Sequence, residues 1–248
     1  MNQAIFEDLQ IPSQGVLLNI KNVTSGAIKN PDCLMVLPGY LSRRSKYADV
    51  LSKHALEIGV DLSVIGFQGW DNSDVRLEDT SQESHVADTL SLYQHLLKQY
   101  ERVHLYGTSY GAYIGANAFA NGAHFSSICL RTPAVYFETD FNTPSNLVDR
   151  DDKVQSLRRN KTELGRHSLL NRLWSTIDAD PTPALIVAHG DDSDTPLAST
   201  MAYASSLSAA VYIAPGVQHS AKDALSNSRE VALSDAVYFA WLRAIVAQ

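Results

Sequence analysis

Residues 102–111 read Arg-Val-His-Leu-Tyr-Gly-Thr-Ser-Tyr-Gly, a strand-like run that passes directly into a glycine–serine–glycine turn. A helical pattern of small residues, 112–120, follows at once. A serine hydroxyl is a poor nucleophile unless it is held exposed beside a base, and a sharp strand-to-helix turn provides that exposure. Gly107 and Gly111 leave room for the strained backbone of such a turn. The pattern predicts a nucleophilic Ser109; a glycine-rich turn with a solvent-facing serine is the alternative.

The rest of the chain alternates short apolar runs with longer helical patterns, which is typical of an α/β fold with a mostly parallel central sheet flanked by helices. Strands are predicted at 16–20 (in a starting hairpin), 33–37, 61–65, 102–106, 127–130, 184–187 and 211–213. Helices are predicted at 45–58, 79–99, 112–120, 196–207 and 231–246. We expect a single domain over 1–248. Within it, the polar stretch 132–180, after the sixth strand, is interpreted as a small lid or cap insertion.

Composition excludes several functions. The chain of 248 residues has 45% hydrophobic residues and a formal net charge of −7, without the basic face that nucleic-acid binding requires. No segment approaches the roughly 18 apolar residues of a membrane span. The two cysteines, Cys33 and Cys129, both lie in strand-like runs and are expected to be core thiols of a cytoplasmic protein, with a disulfide as the alternative. No zinc-ligand spacing or phosphate-binding loop occurs, so no metal or organic cofactor is predicted.

Three further stretches, together with the serine turn, resemble the α/β-hydrolase superfamily over nearly the whole chain. Residues 37–40, Leu-Pro-Gly-Tyr, are similar to its oxyanion loop, with proline where histidine is common. Residues 67–73 and 131–134 also resemble family stretches, although Gln68 and Asp71 depart from the usual arginine and glycine. The resemblance implies that the backbone N–H groups of Tyr40 and Tyr110 form the oxyanion hole. It also implies a catalytic order of serine, acid and histidine.

Eight histidines compete for the role of base. His219 comes just after the last predicted strand, in the loop where the superfamily has its histidine. His189 ends the preceding strand and is the rival. The others are interpreted as surface or packing residues in helix or strand patterns, or have no motif around them: His54, His85, His95, His104, His124 and His167.

The acid comes from a loop that contains Asp191, Asp192 and Asp194. We interpret Pro196 as the first residue of a helix and Thr195 as its N-cap. In the superfamily the acid usually precedes such a proline by four residues, which selects Asp192. Counting from the glycine at position 190 reaches Ser193 instead, so Asp194 remains the alternative acid.

The resemblance implies a serine hydrolase in which His219 deprotonates Ser109 and Asp192 orients the imidazole. A carboxylic-ester hydrolase acting on small or medium acyl substrates is the first hypothesis. A thioesterase, acyltransferase or peptidase would use the same residues, and a non-catalytic ligand-binding scaffold is the alternative of another class. An apolar lining for the substrate could come from aromatic residues near these motifs: Trp70, Tyr110, Tyr136, Phe137 and Trp174. The oligomeric state has no signature in the sequence.

Overall fold

The computed structural model describes residues 4–26, 30–70, 73–135, 182–192, 194–219 and 228–248. Its strands are β1 (Ile5–Ser13), β2 (Val16–Thr24), β3 (Asp32–Leu37), β4 (Val60–Gly66), β5 (Arg102–Thr108), β6 (Ser127–Arg131), β7 (Ala184–His189) and β8 (Ala210–Ala214). Its helices are α1 (Arg44–Glu57), α2 (Gln82–Leu96), α3 (Tyr110–Ala120), α4 (Leu197–Ser206) and α5 (Ser228–Val246), with a 3₁₀ turn at Leu77–Asp79. Among these residues, every helix is too short or too polar to cross a bilayer.

The strands form one sheet in the order β1-β2-β4-β3-β5-β6-β7-β8. The pairs β1–β2 and β2–β4 are antiparallel, whereas the pairs from β4 to β8 are all parallel. The predicted mostly parallel sheet and the predicted starting hairpin are therefore confirmed. Because the parallel strands share a direction, their carboxyl ends meet at one edge, where ligands bind in open α/β sheets.

A hydrophobic core lies on each face of the sheet. On one face, α2, α3 and α4 cover alternate strand residues such as Met35, Leu105 and Ile186. On the other face, α1 and α5 cover the intervening residues, such as Val36 and Val187. Buried on both sides, the central strands need near-continuous apolar runs, which is why they were recognisable in the sequence. Cys33 and Cys129 are free and fully buried, one in each core, as predicted.

Among the boundaries that differ from prediction, two have local reasons. Helix α2 begins at Gln82 because Ser81 and Ser84 form a reciprocal capping box, later than the predicted start at 79. The interpretation of Pro196 as the first helical residue and Thr195 as its N-cap is wrong, since α4 begins at Leu197 and Pro196 is its N-cap. The predicted lid at 132–180 lies, from residue 136 onward, outside the described residues and stays a prediction.

Candidate active site

Ser109 lies at the junction of β5 and α3, in a backbone conformation that non-glycine residues rarely adopt. Its φ is 51° and its ψ −113°. Three backbone hydrogen bonds hold it there. The Ser109 N–H donates to the Arg131 carbonyl at 2.9 Å, and its own carbonyl accepts from Tyr113 and Ala134, both at 3.1 Å. Strain of this kind persists only where the surroundings over-determine it, and here β6 and the chain that follows it do so.

The two glycines of the turn are required by close backbone approach. A Cβ on Gly107 would lie 2.5 Å from the Ala112 Cα. A Cβ on Gly111 would overlap the Leu37 carbonyl and lie 2.5 Å from the Pro38 carbonyl oxygen. Backbone atoms cannot move aside as a flexible side chain can, so the start of α3 packs directly on the ends of β5 and β3 only because these positions have no side chain.

A continuous hydrogen-bonded chain links Ser109, His219 and Asp192. The distance from Ser109 Oγ to His219 Nε2 is 2.9 Å, and that from His219 Nδ1 to Asp192 Oδ2 is 2.8 Å. An ionised carboxylate can only accept hydrogen bonds, so the imidazole has its proton on Nδ1 and presents a lone pair on Nε2 to the serine hydroxyl. This arrangement can remove a proton from Ser109.

Asp192 is buried and held by four hydrogen bonds. Besides His219, its carboxylate accepts the Thr195 hydroxyl at 2.6 Å and the backbone N–H groups of Asp194 and Thr195, each at 2.8 Å. Burial of the side chain, which is 1% exposed, opposes ionisation, but the hydrogen bonds from His219 and Thr195 prevail and hold the pKa of Asp192 below its usual value. Thr195 thus binds this carboxylate instead of capping α4. Asp192 contacts His219, while Asp194 contributes its backbone to the same loop.

His189, the predicted rival, lies beside this chain and has other partners. Its Nδ1 is 2.9 Å from the Gln218 carbonyl, and its Nε2 accepts from Arg131 Nε at 3.3 Å. Burial, together with the nearby positive charge of Arg131, lowers the pKa of His189 to about 4. It is therefore a neutral histidine with both ring nitrogens engaged, whereas Ser109 is bound by His219.

The proposed oxyanion donors lie on the two segments that meet at Ser109. A Cβ built on Gly39 would be 3.7 Å from the Ser109 Cβ, so the turn that contains Tyr40 lies against the serine. That turn is closed by a hydrogen bond from the Ser42 N–H to the Gly39 carbonyl at 3.0 Å. Tyr110 is the first residue of α3, and the first N–H groups of a helix have no partner within it. The backbone of both tyrosines is thus near Ser109.

Behind the turn stands an aromatic cluster that consists of Tyr40, Phe67, Trp70, His85 and Tyr110. Its rings meet mostly edge to face, with centroids 4.9 to 6.3 Å apart. Trp70 and Tyr110, two of the residues predicted to line the substrate pocket, are only 4% and 5% exposed and pack within this aromatic cluster. The other three aromatic candidates, Tyr136, Phe137 and Trp174, lie outside the described residues.

His85, interpreted from sequence as a surface or packing residue, binds the residue that follows the serine. Its Nδ1 is 2.8 Å from the Tyr110 hydroxyl, and its Nε2 is 3.0 Å from the Gln68 carbonyl. Because a carbonyl only accepts, Nε2 has the proton and Nδ1 accepts from tyrosine. Burial lowers the pKa of His85 to about 4. The helical spacing of His85 with the buried Thr89 and Leu92 is the sequence signal that indicates an inward-facing position.

Among the described residues, no group of three or more His, Cys, Asp or Glu side chains is arranged to hold a metal ion.

Comparison with known proteins gives matches among solved structures, while no protein-family model and no curated protein matches the sequence. Est1E from Butyrivibrio proteoclasticus with bound ferulic acid is similar at a TM-score of 0.78 and 15% identity, over 97% of this chain and 100% of that one. A carboxyl esterase from Bacillus coagulans is similar at a TM-score of 0.73 and 14% identity, over 97% and 99%. The Pyrococcus furiosus esterase Pf2001 is similar at a TM-score of 0.74 and 13% identity, over 98% and 90%. At these identities the likeness concerns architecture alone, and together with the mostly parallel sheet flanked by helices it shows that the chain has the α/β-hydrolase fold.

Proposed function

We propose that this chain is a serine hydrolase that cleaves carboxylic esters of small or medium acyl groups through an acyl-enzyme. The observation that carries the proposal is the unbroken chain from Ser109 Oγ to His219 Nε2, at 2.9 Å, and from His219 Nδ1 to Asp192, at 2.8 Å. The nucleophile is thus within hydrogen-bond reach of its base, and the base within reach of the group that orients it.

The reaction begins when Ser109 Oγ attacks the ester carbonyl carbon and His219 Nε2 takes its proton. The carbonyl oxygen becomes an oxyanion, which the backbone N–H groups of Tyr110 and Tyr40 stabilise, each by about 3 kcal/mol in the transition state. As the tetrahedral intermediate collapses, His219 donates its proton to the departing alkoxide. The alcohol leaves, and the acyl group stays bound to Ser109 as an ester.

Water then repeats the sequence in the second half of the reaction. His219 removes a proton from the water as its oxygen attacks the acyl carbon, and the second tetrahedral intermediate releases the carboxylic acid while Ser109 recovers its proton. Throughout, Asp192 keeps the His219 proton on Nδ1 and stabilises the imidazolium that forms in each half. The low pKa of Asp192 supports this role, because the carboxylate stays ionised at any pH at which the imidazole can act as a base.

The choice of ester as substrate draws support from the structural neighbours, two of which are named as esterases and one of which binds ferulic acid. Thioester hydrolysis, acyl transfer and peptide hydrolysis would use the same three side chains and are the other reactions to test. The proposal includes a small-molecule acyl substrate. It also includes a cytoplasmic location, which is favoured by the buried free thiols of Cys33 and Cys129.

A fluorophosphonate probe and a panel of p-nitrophenyl esters of increasing acyl length test the proposal. The wild-type protein should be labelled and should hydrolyse the shorter esters faster than thioester or aminoacyl substrates. Ser109→Ala and His219→Ala should lose both properties. Ser208 provides a matched control, because it is exposed and has a similar φ of 48°, but lies just beyond the end of α4. Ser208→Ala should remain active, and a folded wild type that resists the probe would favour a non-catalytic binding scaffold.

A further inference from the structure

We propose that His189 is a positioning residue for this reaction: its imidazole, held by Arg131, fixes the backbone of the loop that presents His219. The inference rests on the function proposed above and concerns how that site keeps its geometry. Two segments are involved, the acid loop (residues 190–192, 194 and 195) and the base loop (residues 215–219). They supply Asp192 and His219 and lie at the carboxyl ends of neighbouring strands, β7 and β8.

The two loops are joined by a short ladder of hydrogen bonds that ends beside His219. Three consecutive residues donate to carbonyl oxygens at or after the end of β8. The pairs are Gly190 N to Ala214 O at 2.8 Å, Asp191 N to Val217 O at 3.0 Å, and His189 Nδ1 to Gln218 O at 2.9 Å. The first two are contacts between backbone atoms and need no side-chain donor. The third is made by a side chain, and so depends on histidine being present.

The partners of His189 determine its proton position. The Gln218 carbonyl can only accept a hydrogen bond, so Nδ1 carries the proton, and the Arg131 guanidinium can only donate, so Nε2 accepts. The side chain is 3% exposed, and burial favours this neutral form. A neutral histidine with one donor and one acceptor satisfied is a rigid bridge between Arg131 and the base loop.

Arg131 is itself fixed from two other elements. Its Nη1 donates to Asp235 on α5 at 2.8 Å and lies 3.4 Å from the Tyr106 hydroxyl on β5. Its side chain is only 12% exposed, and that of Asp235 is 11% exposed. The bridge is therefore anchored in the core of the sheet, and the restraint on the base loop does not come from the surface.

The Gln218 carbonyl is a well-placed point of restraint. It belongs to the peptide unit that joins residues 218 and 219, so a hydrogen bond to it limits rotation of the backbone immediately before His219. The Gln218 residue is exposed, which leaves the backbone as the part of this residue that the fold holds. A shift of about 1 Å in a catalytic group lowers the rate by roughly 10²-fold, and loss of this contact would permit such a shift.

Three substitutions separate the donor from the rest of the side chain. In His189→Asn, the amide nitrogen can occupy the position of Nδ1 and still donate to Gln218. In His189→Gln, the longer side chain reaches the Nε2 position and can still accept from Arg131, while the donor to Gln218 is lost. His189→Leu keeps bulk and loses both hydrogen bonds.

We expect kcat for a p-nitrophenyl ester to fall by roughly 10²-fold in the Leu and Gln variants, with KM unchanged, and His189→Asn to recover most of the loss. The downfield proton resonance of His219 Nδ1–H should broaden or disappear in the Leu and Gln variants and persist in the Asn variant. If the role of His189 were purely structural, the substitutions would lower stability without producing this order of kcat among the three variants or this change in the resonance.

His104→Leu is the matched control for stability. His104 is also a fully buried histidine with two partners, Ser127 at 2.8 Å and Asp32 at 2.9 Å, but those lie toward the amino ends of the strands. The His104→Leu substitution should lower the midpoint of unfolding and leave kcat unchanged. Wild-type kcat in all three His189 variants, or losses confined to KM, would overturn the positioning role while the Ser109 proposal stands. A wild type that neither reacts with fluorophosphonate nor hydrolyses esters would overturn the proposed function itself.

Discussion

Replacing Asp192 by asparagine tests the site with almost no change in shape. The carboxylate accepts the backbone N–H groups of residues 194 and 195 through Oδ1, and an asparagine carbonyl oxygen can keep both. Its Oδ2 accepts from His219 Nδ1 and the Thr195 hydroxyl, and this position becomes an NH₂ donor. The threonine hydroxyl can rotate and accept, but the imidazole has to move its proton from Nδ1 to Nε2. The lone pair that faces Ser109 at 2.9 Å is then lost.

The expected effect of Asp192→Asn is a fall in kcat of about 10⁴-fold, the size associated with this tautomer error in serine proteases. At 1.36 kcal/mol for each factor of ten, that corresponds to about 5 kcal/mol of transition-state stabilisation. KM should change little, because Asp192 is buried behind His219 and its hydrogen bonds are to the protein. The variant should remain folded, since two of the four hydrogen bonds persist and the other two can reverse their direction.

Steady-state hydrolysis of a p-nitrophenyl ester by wild type, Asp192→Asn and Asp194→Asn measures this effect. Asp194→Asn is the matched control, because the hydrogen bond that it makes to Asp192 comes from its backbone N–H and survives the substitution. Its kcat should stay close to that of wild type. If Asp192→Asn retains more than a tenth of the wild-type rate, or if Asp194→Asn loses as much, Asp192 is not the group that orients His219.

Two further predictions concern folding. Gly111→Ala should prevent folding or lower the free energy of unfolding by roughly 3 kcal/mol or more, because the new Cβ meets the Leu37 carbonyl. Gly115→Ala is the control in the same denaturation assay. Its Cβ has leucine side chains as nearest neighbours, so it should lower the free energy of unfolding by clearly less. Stability should also fall as the pH is lowered from 6.5 to about 4, since the unfolded chain then protonates His85 and His189 while the folded protein does not. Each histidine contributes at most about 3 kcal/mol to the free energy of unfolding, and this contribution is fully present above pH 6.5. In urea unfolding across this range, the free energy of unfolding of His85→Gln should depend less steeply on pH than that of wild type.

Much of the fold and the serine turn is predictable because the signals are local. A buried strand that runs into Gly-x-Ser-x-Gly constrains its own geometry, and the buried parallel strands appear as apolar runs. The acid is harder, since neighbouring aspartates satisfy the same spacing rules within one residue. Its contact with His219 depends on the path of the acid loop. That path is determined by the backbone hydrogen bonds that Gly190 and Asp191 donate to the end of β8 and to the base loop. Such a tertiary restraint leaves no mark in local spacing.

Two other features were out of reach for the same reason. Thr195 has a good residue type for a helix cap, but it lies within reach of a buried carboxylate, and its hydroxyl binds there instead. The partners of His85 and His189 are carbonyls, a tyrosine and an arginine from other elements, so neither histidine sits in a recognisable motif. The sequence predicts which residues are present at the sheet edge more readily than which of them touch.

The backbone hydrogen bonds that hold Ser109 have a practical consequence. The unusual φ of 51° is maintained by main-chain contacts to residues 113, 131 and 134, and none of them involves the serine side chain. An alanine at this position should therefore leave the surrounding surface in its native shape while removing the only atom that the substrate must react with. Such an inert form can serve as bait: incubated with mixtures of natural esters, it can retain an uncleaved molecule for identification by mass spectrometry.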